Sequence, residues 1–145
     1  MKSGNRIERK GRPLKSRELA VKAAKAALSK KAVDLVVLDL AELTIIADYF
    51  VICSGESTTQ VKAIAEFIEH EFSEKGIKLL GIEGLDYSHW VLLDYGDVIV
   101  HVFEKETRDY YELEKLWMDA KTLEIDEDKT GMGGKDKRAV HSGRD

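Results

Sequence analysis

A chain of 145 residues, 43% hydrophobic and 34% charged, suits one globular domain and excludes two ordinary ones. Its single cysteine, Cys53, rules out a disulfide framework and points to the reducing cytoplasm. The net charge of −4 is unevenly spread: residues 1–18 carry seven Lys/Arg against Glu8 and Glu18, 121–145 carry six of each sign, and 19–120 hold ten basic against nineteen acidic groups.

An acidic middle repels nucleic-acid phosphate and suits a basic protein partner. Residues 1–15, with the only proline (Pro13) and two glycines, read as a flexible basic arm, either touching RNA or solvated. No hydrophobic signal core opens the chain, and no apolar run approaches the ~18 residues of a membrane span. The domain proper is expected over 16–120. Ser16 can cap a helix to about Lys31, with Leu19, Ala20, Ala23, Ala24, Ala27 and Leu28 as its apolar stripe. "DLVVLDL" (34–40) reads as a buried strand, "AELTIIAD" (41–48) as a loop, and "YFVICS" (49–54) as a second strand, in which Cys53 is a buried structural thiol.

Ser57 and Gln60 have the spacing of a capping box. Val61, Ile64, Ala65, Ile68 and Phe72 follow at helical spacing, and Gly76 suits a left-handed helix end. A third strand is predicted over 77–83, a loop over Gly84–Ser88, and then a hairpin, "HWVLLDYGDVIVHVF" (89–103). A last helix over Thr107–Ala120 would put Tyr110, Leu113, Leu116 and Trp117 on one face. Residues 121–145 are polar and glycine-rich and read as a disordered tail. The order α-β-β-α-β-β-β-α predicts a single α/β domain with a mixed, twisted sheet of five strands flanked by helices.

The hairpin holds the densest chemistry. With Gly96-Asp97 as the turn, Tyr95 pairs with Val98, Leu93 with Val100 and Val91 with Val102, an apolar face made for a core. The other face mixes Trp90, Leu92 and Asp94 with Ile99, His101 and Phe103. Asp94 and His101 are diagonal neighbours within reach of a hydrogen bond, but a nucleophile beside them is lacking. His89, Asp94, Asp97 and His101 offer ligand types for zinc at no defensible spacing, so neither metal nor cofactor is expected. "SGES" (54–57) could hold a phosphate at a helix start but lacks the spaced glycines and lysine of a P-loop. Recognition is the remaining option: Trp90 and Tyr95 as rigid aromatic anchors, with Asp94, Asp97, Glu83 and Asp86 supplying negative charge near one end of the sheet.

"ADYFVICSG" (47–55), "EG" (83–84), "W…DYGDVIVHVF" (90–103) and "R-x-Y-Y-x-L-E-x-L-W" (108–117) resemble the ribosomal silencing factor family, also called Iojap-like, over residues 19–120. The resemblance implies a nucleotidyltransferase-like α/β fold without need for that chemistry, hence no enzyme. It implies binding to large-subunit ribosomal protein number fourteen on the face that meets the small subunit. Subunit joining would be blocked and translation repressed when nutrients are scarce. A role in large-subunit assembly and, from another class, a divergent nucleotidyltransferase are the alternatives. The resemblance further implies a dimer when free, and a docking surface of Trp90, Asp94, Tyr95 and Asp97, with Glu83 and His101 beside it. Contact of the basic arm with ribosomal RNA is left open, and no membrane partner is implied.

Overall fold

In the computed structural model, which describes residues 13–125, helix α1 (Pro13–Ser29) leads into β1 (Val33–Asp39) and β2 (Tyr49–Gly55). Helix α2 (Thr58–Glu74) follows, then β3 (Gly81–Glu83), β4 (Trp90–Asp94) and β5 (Val98–Glu104). A short helix α3 (Lys105–Tyr111), a 3-10 turn (Leu113–Trp117) and β6 (Lys121–Thr122) complete the order. The strands form one mixed sheet, β3-β4-β5-β2-β1-β6, in which only the central β2–β5 pair is parallel. The α/β class and the mixed sheet match the sequence expectation, with six strands in place of five.

Period-two alternation divides β2, β4 and β5 between two layers. Val51, Cys53, Val91, Leu93, Val98, Val100 and Val102 face α1 and α2, whose Ala20, Ala23, Ala24, Ala27, Val61, Ile64, Ile68 and Phe72 complete the larger core. Small alanines on α1 let that helix lie close to the sheet. Phe50, Ile52 and Phe103 point the other way, into a smaller cluster with Leu38, Leu40 and Ala47, covered by Leu113, Trp117 and Ala120.

The capping box forms. Ser57 Oγ accepts from Gln60 N at 3.1 Å, and Gln60 Oε1 accepts from Glu56 N at 2.7 Å. Gln60 Nε2 also donates to the carbonyls of Lys30 and Lys31, tying the end of α1 to the start of α2. Gly76, at φ +75°, ends α2 as expected: Ile77 N reaches Phe72 O and Gly76 N reaches Ser73 O, the paired bonds of a Schellman end.

Four expectations need correction. The third strand, expected over 77–83, is confined to Gly81–Glu83. Helix α1 starts at Pro13, a residue suited to the first helical position, and Ser16 turns inward to donate to Asp48 Oδ2 at 2.9 Å. The predicted helix over 107–120 breaks at Glu112, which adopts a left-handed φ of +47°, so the face of Tyr110, Leu113, Leu116 and Trp117 splits. Leu113 and Trp117 pack, whereas Tyr110 and Leu116 are exposed. The fold also runs past residue 120, the expected start of the tail. Lys121 and Thr122 pair with Asp39 and Leu38, Leu123 N donates to Val37 O, and Ile125 is buried. An edge strand needs only backbone partners, so its polar composition gives no sign of it. The expected arm up to residue 12 and the tail from 126 lie outside the described residues. Among the described residues no helix is long and apolar enough to cross a membrane.

Candidate docking surface

The hairpin closes in the expected register: Trp90 opposite Phe103, Val91 opposite Val102, Leu92 opposite His101, Leu93 opposite Val100 and Asp94 opposite Ile99. Gly96 takes a φ of +91°, which a side chain would resist, and Asp94 Oδ1 accepts its N–H at 2.8 Å. The Asp97 carbonyl accepts from Asp48 N and Tyr49 N, fixing the turn against the start of β2. At the other end Gly84 sits at φ +85°, where a Cβ would lie 2.0 Å from the Trp90 carbonyl oxygen. Any larger residue there would displace the chain that carries the tryptophan.

Trp90 is half-buried. Its ring stacks on Phe103 at 4.6 Å and approaches Tyr111 at 5.1 Å, and its Nε1 donates to His101 Nδ1 at 3.1 Å. An acceptor at Nδ1 places the proton of the neutral ring on Nε2, which has no hydrogen-bond partner. Burial holds His101 neutral, pulling its pKa to about 4 against the opposing influence of Glu114. The expected Asp94–His101 bond is therefore replaced: His101 serves Trp90, and Asp94 serves Gly96. A base that protonates only near pH 4, with Nδ1 occupied and Nε2 buried, is poorly placed for proton transfer at neutral pH.

The six expected docking residues separate by burial. Trp90 and Asp94 are half-buried on the face away from α1 and α2, and Glu83, opposite Leu92 on β3, is exposed on that same face. Asp97 is half-buried in the turn. His101 lies beneath Trp90 and is 4% exposed, so it can support a contact but not make one. Tyr95 has to be withdrawn: it shares the face of Val91 and Leu93, is 8% exposed, and packs on Phe72 of α2 at 4.6 Å. The acidic groups also divide. Asp94 and Asp97 lie at the hairpin turn, whereas Asp86 is in the loop at the opposite end of β4, so the charge runs along the surface instead of gathering at one end.

Leu113, Trp117 and Ala120 pack on the cluster of Leu38, Leu40, Ala47, Phe50, Ile52 and Phe103. Among the described residues Trp90, Leu92, Asp94 and Ile99 are left partly exposed beside it, an apolar strip with an acidic border, with Trp90 and Ile99 packed against the same cluster. Leu92 and Ile99 were not anticipated as contact residues. Alternation put them on the mixed face, but nothing local revealed that the last helix would stop short of them. Nor were Tyr87, Tyr110 and Tyr111, all well exposed near Trp90; the adjacent Tyr110-Tyr111 pair, which cannot both point inward from one helix, was the available signal.

Cys53 is buried and its thiol is pushed up to about 12 by burial, with Arg108 pulling the other way, which makes it the structural residue expected. Among the described residues no three His, Cys, Asp or Glu side chains gather as a metal site. At the start of α2, Ser57 Oγ takes Gln60 N and Gln60 Oε1 takes Glu56 N within the chain.

Residues 13–144 match the family model described as "Ribosomal silencing factor during starvation". The ribosomal silencing factor RsfS of Bacillus subtilis is 49% identical over 104 residues, 72% of this chain and 88% of that protein. A crystal structure from Bacillus halodurans superposes with a TM-score of 0.68 at 43% identity, covering 75% of this chain and 99% of that one. The mouse protein named "Mitochondrial assembly of ribosomal large subunit protein 1" is 38% identical over 73 residues, 48% of this chain and 32% of its own. With the family model spanning nearly all of the chain and a similar fold in a relative of high identity, this protein belongs to the ribosomal silencing factor family.

Proposed function

We propose that the chain docks on the large ribosomal subunit through large-subunit ribosomal protein number fourteen, and represses translation under nutrient limitation by sterically blocking the small subunit. The observation that carries this reading is the strip over β4 and β5 that the described residues leave partly exposed, where Trp90, Leu92 and Ile99 offer rigid apolar area bordered by Glu83, Asp94 and Asp97. Ribosomal proteins are basic as a class, and a described fold dominated by acidic residues favours such a partner over bare RNA. The action is occupancy, not catalysis: the chemistry-bearing residues of the hairpin are spent on holding Trp90 and the turn. The same strip suits pairing with a second copy when no subunit is present, so dimerisation and docking would compete. Cytoplasmic location follows from the proposed target.

Replacing Asp94 by Asn, which keeps the acceptor for Gly96, together with Asp97→Lys removes the negative charge of the border at the hairpin turn. Co-sedimentation with isolated large subunits should weaken about tenfold, on the order of 1.4 kcal/mol, with an unchanged circular dichroism spectrum. Wild-type affinity in that variant would remove the acidic border from the proposal. A second reading, assembly of the large subunit, is favoured by the name of the mouse mitochondrial relative. Subunit profiles of a deletion strain separate the two: accumulated precursors indicate assembly, whereas normal subunits with poor starvation survival indicate silencing.

A further inference from the structure

At the end of the sheet where β4 begins and β5 ends, an open cavity of about 560 Å3 lies between loop 84–89 and helix α3. Tyr87, Trp90, Tyr110 and Tyr111 form its aromatic walls, and Glu104 and Glu106 supply its charge. The three tyrosines are 80%, 79% and 56% exposed, which is unusual for large rings brought to one place by separate segments. They do not stand independently: Tyr111 contacts both Trp90 at 5.1 Å and Tyr110 at 4.9 Å, the latter edge-on at 90°. Trp90 is itself held by Phe103 and His101, so the wall is anchored in the sheet. Glu104 is oriented as well, its Oε1 accepting from His89 Nδ1 at 2.7 Å.

What would fill such a space can be argued from charge. Aromatic ring faces carry negative electrostatic potential, and two carboxylates add to it; among the described residues no lysine or arginine lines the cavity, and His89 of its wall is bonded to Glu104. A nucleobase could stack on the rings, but its phosphate would meet Glu104 and Glu106 in an acidic region. A neutral apolar side chain would desolvate the Glu106 carboxylate, and the part of Glu104 that His89 leaves free, without compensation. A cation satisfies both features. Between the two cationic side chains, the planar, weakly hydrated guanidinium stacks on rings and pairs with carboxylates better than a compact ammonium.

We propose that this cavity receives an arginine side chain presented by the basic protein on which the chain docks. The identity of that protein rests on the docking reading; the chemistry of the cavity does not. Two measurements on the full chain test the inference. In an NMR titration, acetyl-Gly-Arg-Gly-amide should shift the Trp90 indole and the tyrosine ring resonances saturably. The neutral citrulline peptide should act roughly fivefold more weakly or not at all. Equal response to both peptides, no response to either, or a response to a nucleoside monophosphate instead would overturn it. In co-sedimentation, Tyr87→Ala with Tyr110→Ala changes only exposed rings and should weaken binding to large subunits roughly tenfold. Undiminished binding by that variant overturns the arginine cavity and leaves docking intact. Failure of the wild-type chain to bind subunits overturns docking and leaves the peptide result to decide the cavity.

Discussion

His101 and Trp90 act as a pair, and their bond links a buried titratable group to a half-buried anchor. In the unfolded chain a histidine protonates near pH 6.5, but burial delays protonation of folded His101 until about pH 4. The unfolded state therefore binds more protons between these values, so this contribution to stability is complete above about 6.5, falls with pH through the window, and levels off below 4. Unfolding by urea should require about 2 kcal/mol less at pH 5 than at pH 7 on this account. His101→Asn, which keeps an acceptor for the indole, should lower stability but abolish that share of the pH slope. An unaltered slope would show that other groups cause it. At this scale the sequence was only partly legible. Alternation correctly placed Trp90 and Tyr95 on opposite faces, and that same fact should have removed Tyr95 from the docking set. The Trp90–His101 bond was hidden because it depends on rotamers chosen by Phe50 and Phe103, whose rings lie 4.6 and 6.3 Å from His101.

Among elements, the segment after β5 decides how much of the sheet stays open. Arg108, on α3, is 9% exposed and reaches in two directions: Nη1 donates to buried Ser54 Oγ at 2.9 Å, while Nε and Nη2 both donate to Glu114 Oε2 at 2.9 and 2.6 Å. This clamp joins β2, α3 and the 3-10 turn, and spans the left-handed kink at Glu112. Removing one partner of such a pair leaves the other charge uncompensated, and the partial exposure of Glu114 moderates the loss. Arg108→Met should cost roughly 2–3 kcal/mol in urea unfolding and speed amide exchange over 113–118. A loss below about 0.5 kcal/mol would mean that Leu113 and Trp117 hold the segment by packing alone. The kink itself could not be read from the sequence, since neither glycine nor proline marks it and its cause includes a contact 54 residues away. Strands β1, β2, β4 and β5 and helix α2 were readable because their apolar period, capping box and terminal glycine all agree.

For the molecule as a whole, the two layers of the sheet divide the work. One face is sealed by α1 and α2 into the larger core; on the other, the described residues bury Leu38, Leu40, Ala47, Phe50, Ile52 and Phe103 and leave the β4 side partly exposed. Within the described residues, α3, the 3-10 turn and the two-residue β6 carry the chain from the end of β5 to the far edge beside β1, away from β4. The motifs of the hairpin disclosed the family, but the extent of the open half depends on the tertiary path of 105–122 and so was not visible in them. The most direct test of docking by this half-face is site-specific photo-crosslinking to purified large subunits. A photoreactive residue at Leu92, half-exposed on the open strip, should crosslink to large-subunit ribosomal protein fourteen, and one at Glu66, exposed on α2 in the opposite layer, should not. Crosslinks to that protein from Glu66 with none from Leu92 would contradict the account.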